Sequence, residues 1–289
     1  MKQSILQQLS GLVTLLLAVV LTAGCSGGQE TASRRAMVTI EPLRYFVEQI
    51  AGEDWEVSSL LPAGISPEDY TPSARQMAEL EQSRCLFKIG RLGYENTLAE
   101  NASANTDHLY VCNTSDSIDQ TRFDPHTWTS PRNAIIICRN IARTLSQLDP
   151  DKTPAYNRRL ARTESAIDSL HRQLLQLTAE LPSRSFIIAH PALSCFAADY
   201  NLRQIAIEDN GKEPTPASIR RLIEEARRDK VGVIFVQQEF ADNSARVIAR
   251  ETGARIVRIN PLDYNWSRQL LHIAQSLKNA TQSAPDKNN

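Results

Sequence analysis

Between residues 151 and 181 apolar side chains recur every few residues: Tyr156, Leu160, Ile167, Leu170, Leu174, Leu177 and Leu181. That spacing lays one apolar stripe along an otherwise charged helix, with Pro154 near its start and Pro182 past its end as limits. About 30 residues at ~1.5 Å rise make a rod of roughly 45 Å, enough to run the length of two lobes. Whatever else the chain builds must attach to either side of this rod.

The two flanks read alike. Upstream, strand-like runs at 37–40, 57–61, 85–89 and 109–112 alternate with helical spacing over 42–51, 74–81 and 131–145. Downstream, strands at 186–189, 203–207, 231–236 and 255–259 alternate with helices at 193–200, 215–230, 242–252 and 266–278. Strands alternating with helices imply parallel strands covered on both faces. The expected fold is α/β: two lobes, each a mainly parallel sheet flanked by helices, joined by one long rigid helix. The lobes are expected over 37–150 and 183–280, with the helix over 151–182 and a disordered polar tail over 281–289. A length of 289 residues accommodates two such units.

The N-terminus has the order of a secretory signal: Lys2, an apolar run over 12–21, then Thr22-Ala23-Gly24-Cys25. The run is too short for a stable span, which needs about 20 apolar residues. A cysteine directly after small residues resembles the bacterial lipobox, so residues 1–24 are expected to be a lipoprotein signal peptide, Cys25 the lipid anchor and 25–36 a tether. The envelope of a bacterium, facing the periplasm or the exterior, is the expected location.

With 32 basic against 33 acidic residues there is no broad positive field, which argues against a nucleic-acid partner. Cys85, Cys112, Cys138 and Cys195 show neither a CxxC pair nor a zinc-finger spacing. Cys85 and Cys112 fall in strand-like runs that could be neighbours, as a disulfide or as two buried thiols.

Two of the five histidines stand out. His126 lies in Phe123-Asp124-Pro125-His126-Thr127-Trp128, ahead of a helix, and His190 in Ala189-His190-Pro191, after a strand and before another helix. Because ligands collect at the carboxyl ends of strands in α/β sheets, further candidates are Glu68 in the loop after the second strand, Glu208 and Asp209, Gln237 to Glu239, and Asn260 to Asp263. Two imidazoles with one or two carboxylates suit a borderline divalent ion such as zinc or manganese. Copper(I) would want sulfur, and the chain has only three methionines; calcium would not want imidazole.

Taken together, the run from Leu61 to Tyr70, Asp124-Pro125-His126-Thr127-Trp128, His190-Pro191-Ala192 with Phe196 and Tyr200, and Asn260-Pro261-Leu262 resemble the substrate-binding lipoproteins of bacterial ABC importers for zinc and manganese. The resemblance covers essentially the whole mature chain. It implies a monomeric, lipid-tethered receptor that hands a divalent metal to a membrane permease, with ligands at Glu68, His126 and His190. The chain departs from the family in two ligands: Glu68 stands where a histidine is usual, and Asn260 where an aspartate is usual. Asp263 and Glu239 are the candidates for the missing carboxylate. A histidine-rich loop, frequent in zinc members, is absent between Glu68 and His126, where only His108 occurs.

Other readings of the same residues are a zinc-dependent hydrolase, with an open metal position and Glu239 as base, and a surface adhesin of the same fold. The hydrolase reading lacks an HExxH motif, a nucleophile elbow or a phosphate-cradling glycine loop, and no enzymatic activity is expected. Between the two metals, the Irving–Williams order places zinc above manganese unless geometry intervenes.

Overall fold

The computed structural model describes residues 34–68, 70–119, 124–208 and 212–280. The expected signal peptide, Cys25, most of the tether, the tail, Asp69 and Asp209 lie outside the described residues. Within them, no helix is long and apolar enough to cross a membrane.

The described strands form two four-stranded sheets. β1 (Arg35–Val38), β2 (Glu56–Ser59), β3 (Cys85–Lys88) and β4 (Tyr110–Asn113) lie in the order β2-β1-β3-β4. β5 (Ser185–Ile188), β6 (Arg203–Ala206), β7 (Val233–Gln237) and β8 (Arg255–Ile259) repeat that order as β6-β5-β7-β8. All of these pairings are parallel. β1 opens at Arg35, so the strand takes the last two residues of the expected tether. β3 and β4 are neighbours as expected, and Cys85 and Cys112 are both buried free thiols.

Helices fill the crossovers: α1 (Glu41–Ala51), α2 (Ala74–Glu81), α3 (Gly93–Asn105), α4 (Pro131–Leu148), α5 (Thr153–Ala179), α6 (Ser194–Asp199), α7 (Pro216–Arg228), α8 (Asn243–Thr252) and α9 (Trp266–Lys278). α3 was not expected. Its buried side is narrow, Tyr94, Leu98, Ala99 and Ala102 with Glu95, and Asn, Glu and Ser cover the rest. What fixes its start is polar: the buried Glu95 carboxylate accepts from the backbone N–H of Ile89, Gly90, Arg91 and Leu92 at 2.6–3.1 Å and from Thr39 Oγ1 at 2.6 Å. Gly90 is required in that turn, because its φ is +91° and a Cβ would fall 2.1 Å from Asn113 Oδ1.

The long helix is α5, 27 residues and so about 40 Å. Its buried stripe, including Tyr156, Ile167, Leu170 and Leu174, packs on α1 and α4 from the first lobe and on α9 from the second. One continuous hydrophobic core therefore crosses both sheets. The second sheet is buried on both faces by simple alternation. Phe186, Ile188, Val233 and Phe235 enter the shared core, while Ile187, Ile234 and Val236 enter a smaller one under α7 and α8.

Candidate metal-binding site

His126 sits in the link between β4 and α4, just before a 3-10 turn, Thr127–Thr129. The turn is immobilised by Trp128, which is fully buried and donates Nε1–H to the Pro261 carbonyl at 2.8 Å. Immediately after it Ser130 caps α4 by accepting from Asn133 N at 3.1 Å, with Pro131 in the first turn. Asp124 Oδ1 accepts from the His126 backbone N–H at 2.8 Å and meets its Nδ1 at 2.9 Å. The imidazole is thereby turned so that Nε2 points away from Asp124.

His190 follows β5, next to β7. The crossovers leave in opposite directions between these two strands, which makes the crevice at their carboxyl ends the switch point where ligands bind in such sheets. Gln237, at the end of β7, holds the His190 backbone from both sides: Oε1 accepts its N–H at 3.3 Å and Nε2 donates to its carbonyl at 2.7 Å. Phe240 stacks on the ring at 4.8 Å and 4°. Glu208, at the end of the neighbouring β6, meets Nδ1 at 2.8 Å.

With both Nδ1 atoms engaged by carboxylates, both Nε2 atoms face one another at 3.3 Å across the lobes. Glu68 Oε1 lies 3.4 Å from His190 Nε2. In a tetrahedral zinc site with bonds of about 2.0–2.1 Å, neighbouring donors lie about 3.3–3.4 Å apart, so both separations match an edge of that polyhedron. Each histidine is 6% exposed, whereas the Glu68 side chain is 45% exposed on the loop that runs through Gly64 (φ +80°) to the buried Pro67. A cavity of about 20 Å³ is lined by His126, His190, Glu239 and Phe240, with Trp128, Pro261 and Leu262 as apolar walls. That is room for one water or one ion. Among the described residues no three His, Cys, Asp or Glu side chains stand close enough to hold a metal; a complete donor set would require Glu68 and a further donor to swing inward.

The charges follow from these contacts. Burial on its own would lower the His190 pKa, but the Glu208 hydrogen bond and the charges of Glu208, Glu68 and Asp124 outweigh it and leave it raised. Burial would likewise raise the Asp124 carboxyl, yet its bonds to His126 hold it below the ordinary value. Glu239 is raised by burial, which outweighs hydrogen bonds from its own backbone and the Gln238 side chain and the charge of His190; its Oε1 is buried with no hydrogen-bond partner. The Cys195 thiol beside Asp124 is pushed up to about 12, first by burial and then by Asp124, and stays neutral.

The remaining candidates are placed elsewhere. Asp263 spends its carboxylate on Asn265 N at 2.7 Å and Gln269 Nε2 at 3.2 Å, ahead of α9, and is not among the residues lining the histidine cavity. Asn260 Oδ1 accepts from Leu262 N at 3.0 Å. His108 and His272 sit against the backbone carbonyls of Glu81 and Arg258. The roles of Asp124 and Glu208 as partners of the imidazoles were not assigned from sequence. Asp124, two residues before His126, carried a local signal; Glu208 had only its place at a strand end.

Residues 37–280 match the family described as zinc-uptake complex component A, periplasmic (ZnuA). The chain belongs to this family. A crystal structure of ZnuA superposes with a TM-score of 0.82 at 33% identity, over 86% of this chain and 99% of that one. The zinc-binding lipoprotein AdcA of Streptococcus pneumoniae R6 is 25% identical over 293 residues, which take in 89% of this chain and 56% of AdcA. The chain thus spans about half the length of that relative. The manganese ABC transporter substrate-binding lipoprotein PsaA of Streptococcus pneumoniae TIGR4 is 26% identical over 85% of this chain and 86% of PsaA.

Proposed function

We propose that this protein is the metal-capturing receptor of an ABC importer: it binds one divalent transition ion between its lobes and passes it to a membrane permease. The observation that carries this is the meeting of two imidazole Nε2 atoms at 3.3 Å, each ring oriented through Nδ1 by its own carboxylate. Carboxylate–histidine pairs of this kind fix the tautomer and raise ligand basicity. His126, His190 and Glu68 are the first ligands. Zinc is the preferred ion, since imidazole favours it and the two donor separations, 3.3 and 3.4 Å, each match an edge of a tetrahedral zinc site; manganese is second. The relatives include one named for each metal. A monomer, held by lipid on Cys25 at the outer side of a bacterial membrane, completes the reading. The hydrolase and adhesin alternatives gain no observation of their own.

The test is calorimetric titration of the chelator-stripped soluble protein with zinc and with manganese, paired with elemental analysis of protein purified without chelator. One tightly bound equivalent, zinc before manganese, is expected. Absence of stoichiometric binding, or turnover of ester or peptide substrates by the metal-loaded protein, would overturn the proposal.

A further inference from the structure

Resting on the receptor reading, we infer that Glu239 is the ligand that completes the site, so that the captured ion lies dehydrated between two imidazoles and two carboxylates. Three observations meet on this residue. Glu239 lines the same cavity of about 20 Å³ as His126 and His190. Its Oε1 is buried without a hydrogen-bond partner, a costly arrangement that a bound cation would relieve. Its neighbours tie it to His190 on both sides: Gln237 brackets the His190 backbone and Phe240 stacks on the ring. The turn after β7 therefore keeps its place relative to one of the imidazoles when the site fills.

Charge points the same way. Among groups that could touch the ion directly, two neutral imidazoles and Glu68 supply a single negative charge; Asp124 and Glu208 act from one imidazole further out, in a pocket walled by Trp128, Phe240, Pro261 and Leu262. A second carboxylate in direct contact balances the dication within the donor set itself. Glu239 also accepts from the Gln238 side chain and its own backbone N–H, yet keeps Oε1 free of a partner, whereas both carboxylate oxygens of Asp263 are engaged, by Asn265 N and Gln269 Nε2, and Asp263 does not line the histidine cavity. The family's usual carboxylate position holds Asn260, whose Oδ1 is occupied by Leu262 N. Each lobe then contributes one histidine and one carboxylate, and the carboxylates, on flexible side chains, close last. A small, dry, four-donor cavity of this charge selects an ion that gives up its hydration shell and accepts tetrahedral geometry, which excludes magnesium and calcium.

The experiment compares the parent soluble protein with Glu239→Gln and Asp263→Asn, using zinc in competition with a chromogenic chelator and cobalt(II) as a spectroscopic probe. Glu239→Gln is expected to weaken zinc by roughly tenfold or more, a loss seen even for supporting residues, and to weaken the intense visible bands of four-coordinate cobalt. Asp263→Asn is expected to leave both unchanged. The melting temperature of metal-free Glu239→Gln should not fall, whereas a purely structural Glu239 would lower it together with affinity. Parental zinc affinity with a parental cobalt spectrum in Glu239→Gln, or a loss of affinity that tracks a loss of apo stability, overturns the assignment. If the parent protein itself binds neither metal stoichiometrically, the receptor reading fails with it.

Discussion

His126 and His190 differ from core histidines in having Nδ1 tied to a carboxylate and Nε2 aimed at the other ring. His126→Ala and His190→Ala are each expected to abolish high-affinity zinc binding in calorimetry while circular dichroism stays native, because both lie in loops and neither fills the core. The orienting carboxylates should matter less: Asp124→Asn and Glu208→Gln are expected to weaken zinc roughly 10- to 100-fold. Protons compete for the same Nε2. Burial pulls the His190 pKa down, but Glu208, Glu68 and Asp124 push it above the ordinary histidine value. Binding is then complete well above that raised pKa and is lost as pH falls through it. Glu208→Gln removes a raising contribution, so its acid edge should move to lower pH even as its affinity at alkaline pH drops; an edge that stays put or rises in a titration from pH 5 to 8.5 would contradict this. Metal preference is expected to turn on Glu68. Glu68→His offers a softer donor and should widen the gap between zinc and manganese, whereas Glu68→Gln removes charge and should weaken both.

At the scale of elements, the start of α4 joins stability to the site. Ser130 caps the helix and donates Oγ–H to Asp199 Oδ2 at 2.6 Å, four residues after His126. Ser130→Ala should cost about 1–2 kcal/mol, read as a lowered melting temperature, and should loosen metal binding by displacing the turn that carries His126. Elements such as α5 and the strands of the second sheet were legible in the sequence because their burial is periodic: one stripe at helical spacing, and alternate faces in two cores. α3 was not, because its anchor is the Glu95 carboxylate gathering backbone N–H groups rather than an apolar pattern. His126 and Asp124 were legible as neighbours, two residues apart. The Glu208 contact with His190 depends on β6 lying beside β5, a matter of strand order that local sequence does not encode. Asp263 looked equivalent to Glu239 in sequence, since both follow parallel strands. The difference is local: Asp263 has the N–H of Asn265 and the amide of Gln269 within reach, while Glu239 Oε1 has no partner.

Across the whole molecule, attachment and release are separate questions. Cys25→Ser is expected to move the protein from the membrane to the soluble fraction with metal affinity unchanged; retention in membranes would count against the lipid anchor. Release concerns how far the lobes can part. α5 is fastened to the first lobe by Tyr156 to Trp55 at 2.9 Å and by Arg159 to the Ala51 carbonyl and Asp54 at 2.7 and 2.8 Å, and near its other end the Thr178 carbonyl accepts from Arg184 at 2.7 Å. Directly between the lobes, Trp128 bonds Pro261, and Trp266 Nε1–H donates to the Trp128 carbonyl at 2.7 Å. The tryptophan bonds are buried beside a continuous core, so a wide hinge opening would expose apolar surface and strand polar groups at once. The half-exposed Glu68 loop and the turn after β7 carry no such load. Solution scattering curves of the metal-free and zinc-loaded protein should therefore superpose, while hydrogen exchange slows on zinc binding in the loop around Glu68 and at Gln238 to Phe240 but not along α5. A clear contraction of the molecule on zinc binding would mean that the lobes themselves close, and that the shared core yields more easily than its burial implies.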